Sequence, residues 1–198
     1  MTESLPPRDP VLYRGMKAVR HPRRRRSNLN ANSIALAGEF AVLSQLALRG
    51  YDANMTLGHT KGVDILISDP KTKRMYQLEV KAGIKDIHQK PKKSKLFGRF
   101  IADWIMHSKH ERIHNPSLFY CFVSIHKKTN AFRFFIVPSR IVARYVRAQH
   151  RYWLRATPKG RNTDMRLFRI GLLRERYPIS TPTDKYEDNW GFNTNPDR

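Results

Sequence analysis

The stretch GVDILISDPKTKRMYQLEVKAG, residues 62–83, decides how the rest of the chain is read. Two apolar runs, Val63 to Ser68 and Met75 to Lys81, flank Asp69-Pro70, a turn-forming pair. A hairpin turning symmetrically about Lys71 and Thr72 pairs positions whose numbers sum to 71 + 72 = 143, which sets Asp64 opposite Glu79. In the second run, alternation puts Tyr76, Leu78 and Val80 on one face and Gln77, Glu79 and Lys81 on the other. Like charges directly opposite in a ladder destabilise it. Two facing carboxylates in an otherwise apolar hairpin therefore call for a cation, and oxygen donors suit Mg²⁺ or Mn²⁺ where zinc prefers Cys and His. A lysine beside such an ion can orient a water or stabilise charge developing on a phosphate.

Outward from the hairpin, Ser33 to Arg49 reads as a helix: Ser33 can cap it, Leu36, Phe40, Leu43 and Ala47 recur at helical spacing, and Gly50 stops it. Glu39 has Ala35, Leu36, Val42 and Leu43 as helical neighbours and so faces the core side. A carboxylate there costs on the order of several kcal/mol unless a cation or donor meets it. Tyr51 to Leu57 adds a β-like segment. Downstream follow a basic loop KDIHQKPKKSK (85–95), a helix from about Phe100 to His114, and strands Leu118 to His126 and Phe132 to Val137. A helix capped by Ser139 then runs to about Trp153, with Ile141, Tyr145, Ala148 and Tyr152 as its apolar stripe, and a weaker strand covers Met165 to Leu172. The expected fold class is α/β, a central mixed β-sheet flanked by helices. Residues 1–30 read as a basic N-terminal arm, 31–175 as the α/β domain, and 176–198 as an irregular C-terminal tail.

Glu39 on a helix, Asp64 after a short turn, and Glu79-Val80-Lys81 closing a strand resemble, in kind and order, the PD-(D/E)xK nuclease superfamily, the restriction-endonuclease-like fold that includes Holliday-junction resolvases. The resemblance covers about Ser33 to Val137, with Val63 standing where the motif name has proline. It implies an αβββαβ core and hydrolysis of phosphodiester bonds in DNA, branched or junction DNA included. It further implies Mg²⁺ or Mn²⁺ held by Asp64, Glu79 and the Val80 carbonyl, Glu39 assisting that shell, and Lys81 acting on the water. Some members of the superfamily have lost activity; here each polar position is filled. By analogy at the level of fold, a homodimer is expected for cutting two strands.

The composition points to a polyanion as partner: 38 Lys and Arg against 16 Asp and Glu give a net charge of +22, more than a compact chain tolerates without a counter-charge. Arg140, Arg144, Arg147 and Arg151, spaced four, three and four apart, share one face of their helix with no acid between them, a stripe suited to phosphates. Arg23, Arg24, Arg25 and Arg26, and Lys92, Lys93 and Lys95 in the basic loop, add to this charge. No run of about 18 apolar residues stands out and the N-terminus lacks an apolar signal core, so no membrane partner and a cytoplasmic location are expected. Cys121 is the only cysteine and reads as a small buried hydrophobe. His107, His110 and His114 would share a helix face, read as DNA-facing or solvated rather than as a zinc site; Trp104, Trp153 and Phe119 read as core. Two other readings stand beside the nuclease: a non-catalytic basic nucleic-acid-binding protein within a nucleoprotein assembly, and a module for an acidic protein, which leaves Glu39, Asp64 and Glu79 without a reason. Phosphate contacts carry no sugar identity, so RNA stays open beside DNA.

Overall fold

LFYCFVSI, residues 118–125, offers no polar face, and a segment of that kind is stable as a strand covered on both sides. In the computed structural model, which describes residues 29–56, 62–85, 92–158, 160–172, 181 and 183–192, all eight of its residues are buried. The elements in chain order are α1 (Ala31–Leu48), β1 (Asp52–Met55), β2 (Ile65–Ser68), β3 (Met75–Ile84), β4 (Lys92–Ser94), β5 (Gly98–Phe100) and β6 (Ala102–His107). A 3-10 turn (Ser108–Arg112) leads to β7 (Leu118–Ile125), β8 (Phe132–Pro138), α2 (Ser139–Ala156), β9 (Met165–Ile170) and α3 (Thr183–Tyr186). Five strands form a central sheet in the order β1-β2-β3-β7-β8, with β3 and β7 parallel and every other neighbour antiparallel. The fold is a mixed α/β sheet flanked by helices, as expected.

Alternation along the sheet divides the interior in two. Phe119, Cys121 and Val123 of β7 join Leu78 and Val80 of β3 under α1, while Tyr120 and Phe122 turn to the opposite face with α2, β6 and β9. The hairpin register follows the sum of 143: Ile65 pairs with Leu78, Leu66 with Gln77, and Ile67 with Tyr76. Asp69 organises the turn, its Oδ1 accepting from the Lys71 and Thr72 amides at 2.9 and 3.3 Å.

Several expectations are corrected. The span from Phe100 to His114 is not a helix: Ala102, Trp104 and Met106 are buried while Asp103, Ile105 and His107 turn outward, a period of two, and β6 pairs antiparallel with β9. Among the described residues, the parallel step from β3 to β7 carries strands and a 3-10 turn where an αβββαβ core has a helix, and His107, His110 and His114 share no helix face. The basic loop contributes a strand, β4, paired with β5. Asn30, not Ser33, caps α1, its side chain accepting from the Ser33 amide at 2.7 Å. Pro138 is the N-cap of α2, and Ser139 Oγ instead donates to the Asn115 carbonyl at 2.7 Å. The expected tail also packs: Tyr186, Trp190 and Phe192 are buried, Tyr51 Oη donates to the Trp190 carbonyl at 2.9 Å, and Arg133 binds Glu187 through Nε and Nη2 at 2.5 and 2.7 Å.

In α1 most of the anticipated stripe is open, with only Leu43 half-buried against the core. Leu36 and Phe40 are 48% and 53% exposed, whereas Gly38, Val42 and Leu46 are buried. With Glu39 its sole charge, α1 is apolar nearly all round and is long and apolar enough, by length and composition, to cross a membrane, contrary to the hydropathy expectation. What fixes its buried side is a close approach to β3: a Cβ added at Gly38 would lie 2.4 Å from Cβ of Ala82. Gly38→Ala adds about 1 kcal/mol of helix propensity, and overpacking of a helix–sheet contact this tight outweighs it. Thermal and urea unfolding are expected to show a net loss of about 1–3 kcal/mol, recovered in part by Ala82→Gly in the same chain. Unchanged stability in Gly38→Ala would contradict the close approach.

Candidate active site

β2 begins one residue after Asp64, and Asp64 continues the ladder by other means. Its amide donates to the Leu78 carbonyl at 2.8 Å, and its carboxylate Oδ2 accepts from the Val80 amide at 2.6 Å. The amides of Gln77 and Lys85 bond toward β7, at 2.8 and 3.0 Å, so the even-numbered residues of β3 turn their backbone groups toward β2. The Val80 carbonyl thus points with its amide past the end of β2.

Glu79 stands opposite Tyr120 in the parallel register and is 3% exposed. Its Oε1 lies 2.6 Å from Lys81 Nζ, two residues along the strand on the same face. Its Oε2 is buried and makes no close hydrogen bond among the described residues: His110 Nδ1 is 3.7 Å away, and the Tyr120 hydroxyl, which interacts with the Glu79 carboxylate, is already 2.7 Å from that ring nitrogen. Gly62, at φ 83°, brings the incoming chain against this oxygen: a Cβ added there would sit 3.6 Å from Oε2.

The surrounding electrostatics link the remaining acids to the same place. Burial raises the pKa of Glu39 above the usual carboxylate range, the negative charge of Asp64 raises it further, and Lys81 opposes both. Asp64 is raised chiefly by burial and also by Glu79, against the Val80 amide bond and the charges of Lys81 and Lys109. Asp64 is therefore the group through which Glu39, Glu79 and Lys81 interact beside β2, although its amide bonds Leu78 and it stands outside the regular ladder.

His110 and Tyr120 were not legible as members of this cluster. His110 is 2% exposed, and its Nδ1 lies 2.7 Å from Tyr120 Oη. Burial, then the charges of Lys81, Lys109 and His107, lowers its pKa to about 4, so the 3.7 Å approach to Glu79 is that of a neutral ring at pH 7. Burial and the Glu79 charge push the Tyr120 phenol well above its ordinary range. The alternation of β7 could have placed Tyr120 here; reading residues 100–114 as a helix hid His110.

Beside Lys81 the surface opens into a groove of about 490 Å³ bordered by His107, Lys109 and Met165, and a second of about 570 Å³ continues it past Arg112 and Arg166. The α2 arginines do not border either groove. Arg140, Arg144 and Arg151 are exposed on α2, and Arg147 is half-buried. Lys92 is paired with Asp103 at 3.1 Å, Lys93 and Lys95 are exposed on the β4–β5 hairpin, and Arg23 to Arg26 lie outside the described residues.

The chain matches no protein-family model and no curated protein. Among solved structures it is similar to a bacterial homing endonuclease, I-Ssp6803I, with 11% sequence identity and a TM-score of 0.45, over 82% of this chain and 92% of that one.

The neutral state of His110 carries a pH signature. The unfolded ring takes up a proton below its ordinary 6.5, while the folded ring resists until about 4. Its contribution is complete above 6.5 and is lost as the pH falls through that window, to a total of roughly 3 kcal/mol. Urea unfolding at pH 7 and at pH 4.5 is expected to show a smaller acid loss in His110→Gln than in the wild type. Equal losses in both would assign the acid sensitivity to other groups.

Proposed function

We propose that the chain is a Mg²⁺-dependent endonuclease of the PD-(D/E)xK type acting on DNA, with Glu39, Asp64, Glu79 and Lys81 as its catalytic set. The observation that carries this reading is the arrangement at the end of β2. Asp64, held on the Val80 amide, interacts with Glu79, Lys81 stands beside Glu79, and one buried oxygen of Glu79 makes no close hydrogen bond among the described residues. Orphaned buried oxygens of this kind are rare and ask for a donor or a cation.

The donor chemistry fits a hard divalent ion. Asp64, Glu79 and the Val80 carbonyl supply oxygen only, and Mg²⁺ is held by one or two carboxylates completed by water and substrate phosphate. When bound, such an ion would supply charge stabilisation at a phosphoryl oxygen and a more acidic water. The chain's own residues have separate parts in this scheme. The Val80 amide holds the Asp64 carboxylate in place, Lys81 Nζ is positioned to orient a water or offset phosphate charge, and Glu39 assists from α1. The groove cations Lys109 and Arg112, with Arg140, Arg144, Arg147, Arg151, Lys93, Lys95 and the arm arginines Arg23 to Arg26, would meet phosphates and steepen the salt dependence of binding. Two copies, one for each strand, are the expected assembly for double-strand cutting.

Incubation of the purified chain with plasmid and branched DNA in Mg²⁺ or Mn²⁺ is expected to give cleavage, reduced on the order of a hundredfold or more in Lys81→Ala, the scale of losing one electrostatic stabiliser. Wild type and Lys81→Ala behaving alike on every substrate would sink the catalytic reading.

A second reading has its own observation. Lys81 closes on Glu79 at 2.6 Å, Asp64 Oδ2 is taken by the backbone, and no cluster of three His, Cys, Asp or Glu side chains gathers around a metal position among the described residues. These favour a non-catalytic basic nucleic-acid-binding protein in which the ion pair is structural. Calorimetric titration of Mn²⁺ separates the two: the nuclease predicts uptake lost in Asp64→Asn, and the binding protein predicts none in either.

A further inference from the structure

Arg169 is a buried cation that forms no ion pair among the described residues. It is 6% exposed, and its Nε and Nη1 make no hydrogen bond among the described residues. Its guanidinium carbon lies 4.4 Å from the ring centre of Phe97 and 5.2 Å from that of Phe100. Ring faces attract a cation and do not neutralise it. Its cross-strand partner Asp103 is engaged elsewhere, 3.1 Å from Lys92 Nζ and 3.8 Å from Lys85 Nζ. That one carboxylate thus serves two lysines and forms no ion pair with Arg169, and an uncompensated buried charge is strongly unfavourable.

Arg169 borders a cavity of about 340 Å³ between the β4–β5 hairpin, β9 and the C-terminal half of α2. Two further cations, Lys95 and Arg166, border it, and among the described residues no carboxylate does; Arg166 is paired with Glu111. Much of the wall is apolar, with Phe97 and Trp153 the aromatic members. His150 stacks on Trp153 with centroids 5.7 Å apart and planes 22° from parallel, and its Nε2 is 2.8 Å from Asn162 Oδ1, so the indole is backed on one face. Gln149, buried, adds an amide that both donates and accepts.

We propose that this cavity binds a single nucleotide, its phosphate toward Arg169 and Lys95, its base against Trp153 and Phe97, and the base edge on Gln149. An anion answers the stranded guanidinium, a planar body answers the aromatic wall, and a nucleotide combines both. The volume lies at the small end of ligand pockets, which suits one unit and not a chain. Thr163, Met165 and Arg166 border both this cavity and the grooves that run from Lys81, so the nucleotide arrives free or as one unit of a strand lying in those grooves. The site does not depend on the Glu79 cluster being catalytic.

The test is calorimetric titration of the full chain, at near-physiological salt, with four probes: adenosine 5′-monophosphate, thymidine 5′-monophosphate, inorganic phosphate and a thymidine trinucleotide. Arg169→Gln and Lys95→Glu report on the cavity. Lys128→Glu, in the exposed turn between β7 and β8, matches the second variant in charge and lies outside the cavity lining. Expected are one binding event with at least one mononucleotide, phosphate weaker by roughly tenfold or more, and a loss of roughly tenfold or more in both cavity variants with Lys128→Glu unchanged. Binding of the trinucleotide alone, with the same pattern across variants, supports the same cavity and assigns the nucleotide to a strand. Should Arg169→Gln fail to fold, Lys95→Glu against Lys128→Glu decides. The proposal is overturned by no binding of any nucleotide probe, by phosphate binding as well as a mononucleotide, or by equal effects of Lys95→Glu and Lys128→Glu.

Discussion

The hydrogen bond from the Val80 amide to the Asp64 carboxylate governs the geometry of the whole site. A strand that stops short leaves backbone groups on its neighbour in need of partners. Here the side chain of Asp64, one residue before β2, takes the position that another backbone carbonyl would hold. The hairpin register is thereby held to its last rung, Glu79 is fixed on the Tyr120 side of the sheet, and the Val80 carbonyl is left directed past β2. One short acid therefore sets three groups at once, and it can do so because the turn at Asp69 fixes the register from the other end.

Glu79 shows what that register demands. The sheet carries it into the margin of an aromatic interior, where a carboxylate needs partners for both oxygens. Lys81 serves one, since two residues along a strand return to the same face. On the side of the other stands a neutral histidine whose near nitrogen already faces a tyrosine hydroxyl. Protonating His110 would pair it with Glu79 and also place a third cation near Lys81 and Lys109, which is why burial and these charges act together against it. The asymmetry between the two oxygens of Glu79 thus follows from the charges around it.

Legibility in the sequence tracked how many physical constraints overlapped. The hairpin could be read because turn chemistry, period-two alternation and apolar flanks all gave one register, which Ile65 to Ser68 follow and which sets Glu79 and Lys81 on one face, whereas Asp64 bonds Leu78 just outside the ladder. In α1 the pattern of Leu36, Phe40, Leu43 and Ala47 was real and uninformative, since a helix apolar nearly all round has no preferred face until a tertiary contact chooses one. That contact is Gly38 on Ala82, and a glycine in a helix carries no hydrophobic signal. ADWIMHSKH satisfies periods of 2 and 3.6 alike, and pairing with β9, more than fifty residues downstream, decided it. The C-terminal aromatics Tyr186, Trp190 and Phe192 were passed over because they are isolated among polar residues, though each is buried.

Charge ties these parts together. A chain with a net charge of +22 must leave many cations without an internal acid, and their placement matters more than their number. Exposed ones such as Arg144 and Arg151 on α2 keep their charge in water at little cost. Those buried in the layer of β6 and β9 and beside it cannot: Arg169 forms no ion pair among the described residues, Asp103 is shared by Lys85 and Lys92, and burial lowers the pKa of Lys85 despite that acid. In a fold stabilised by its apolar layers, a surplus of positive charge concentrated beside a cavity and two grooves is a constraint that the chain's own described acids do not relieve. An anion from outside relieves it, so ligand binding and stability in this layer are two readings of one imbalance.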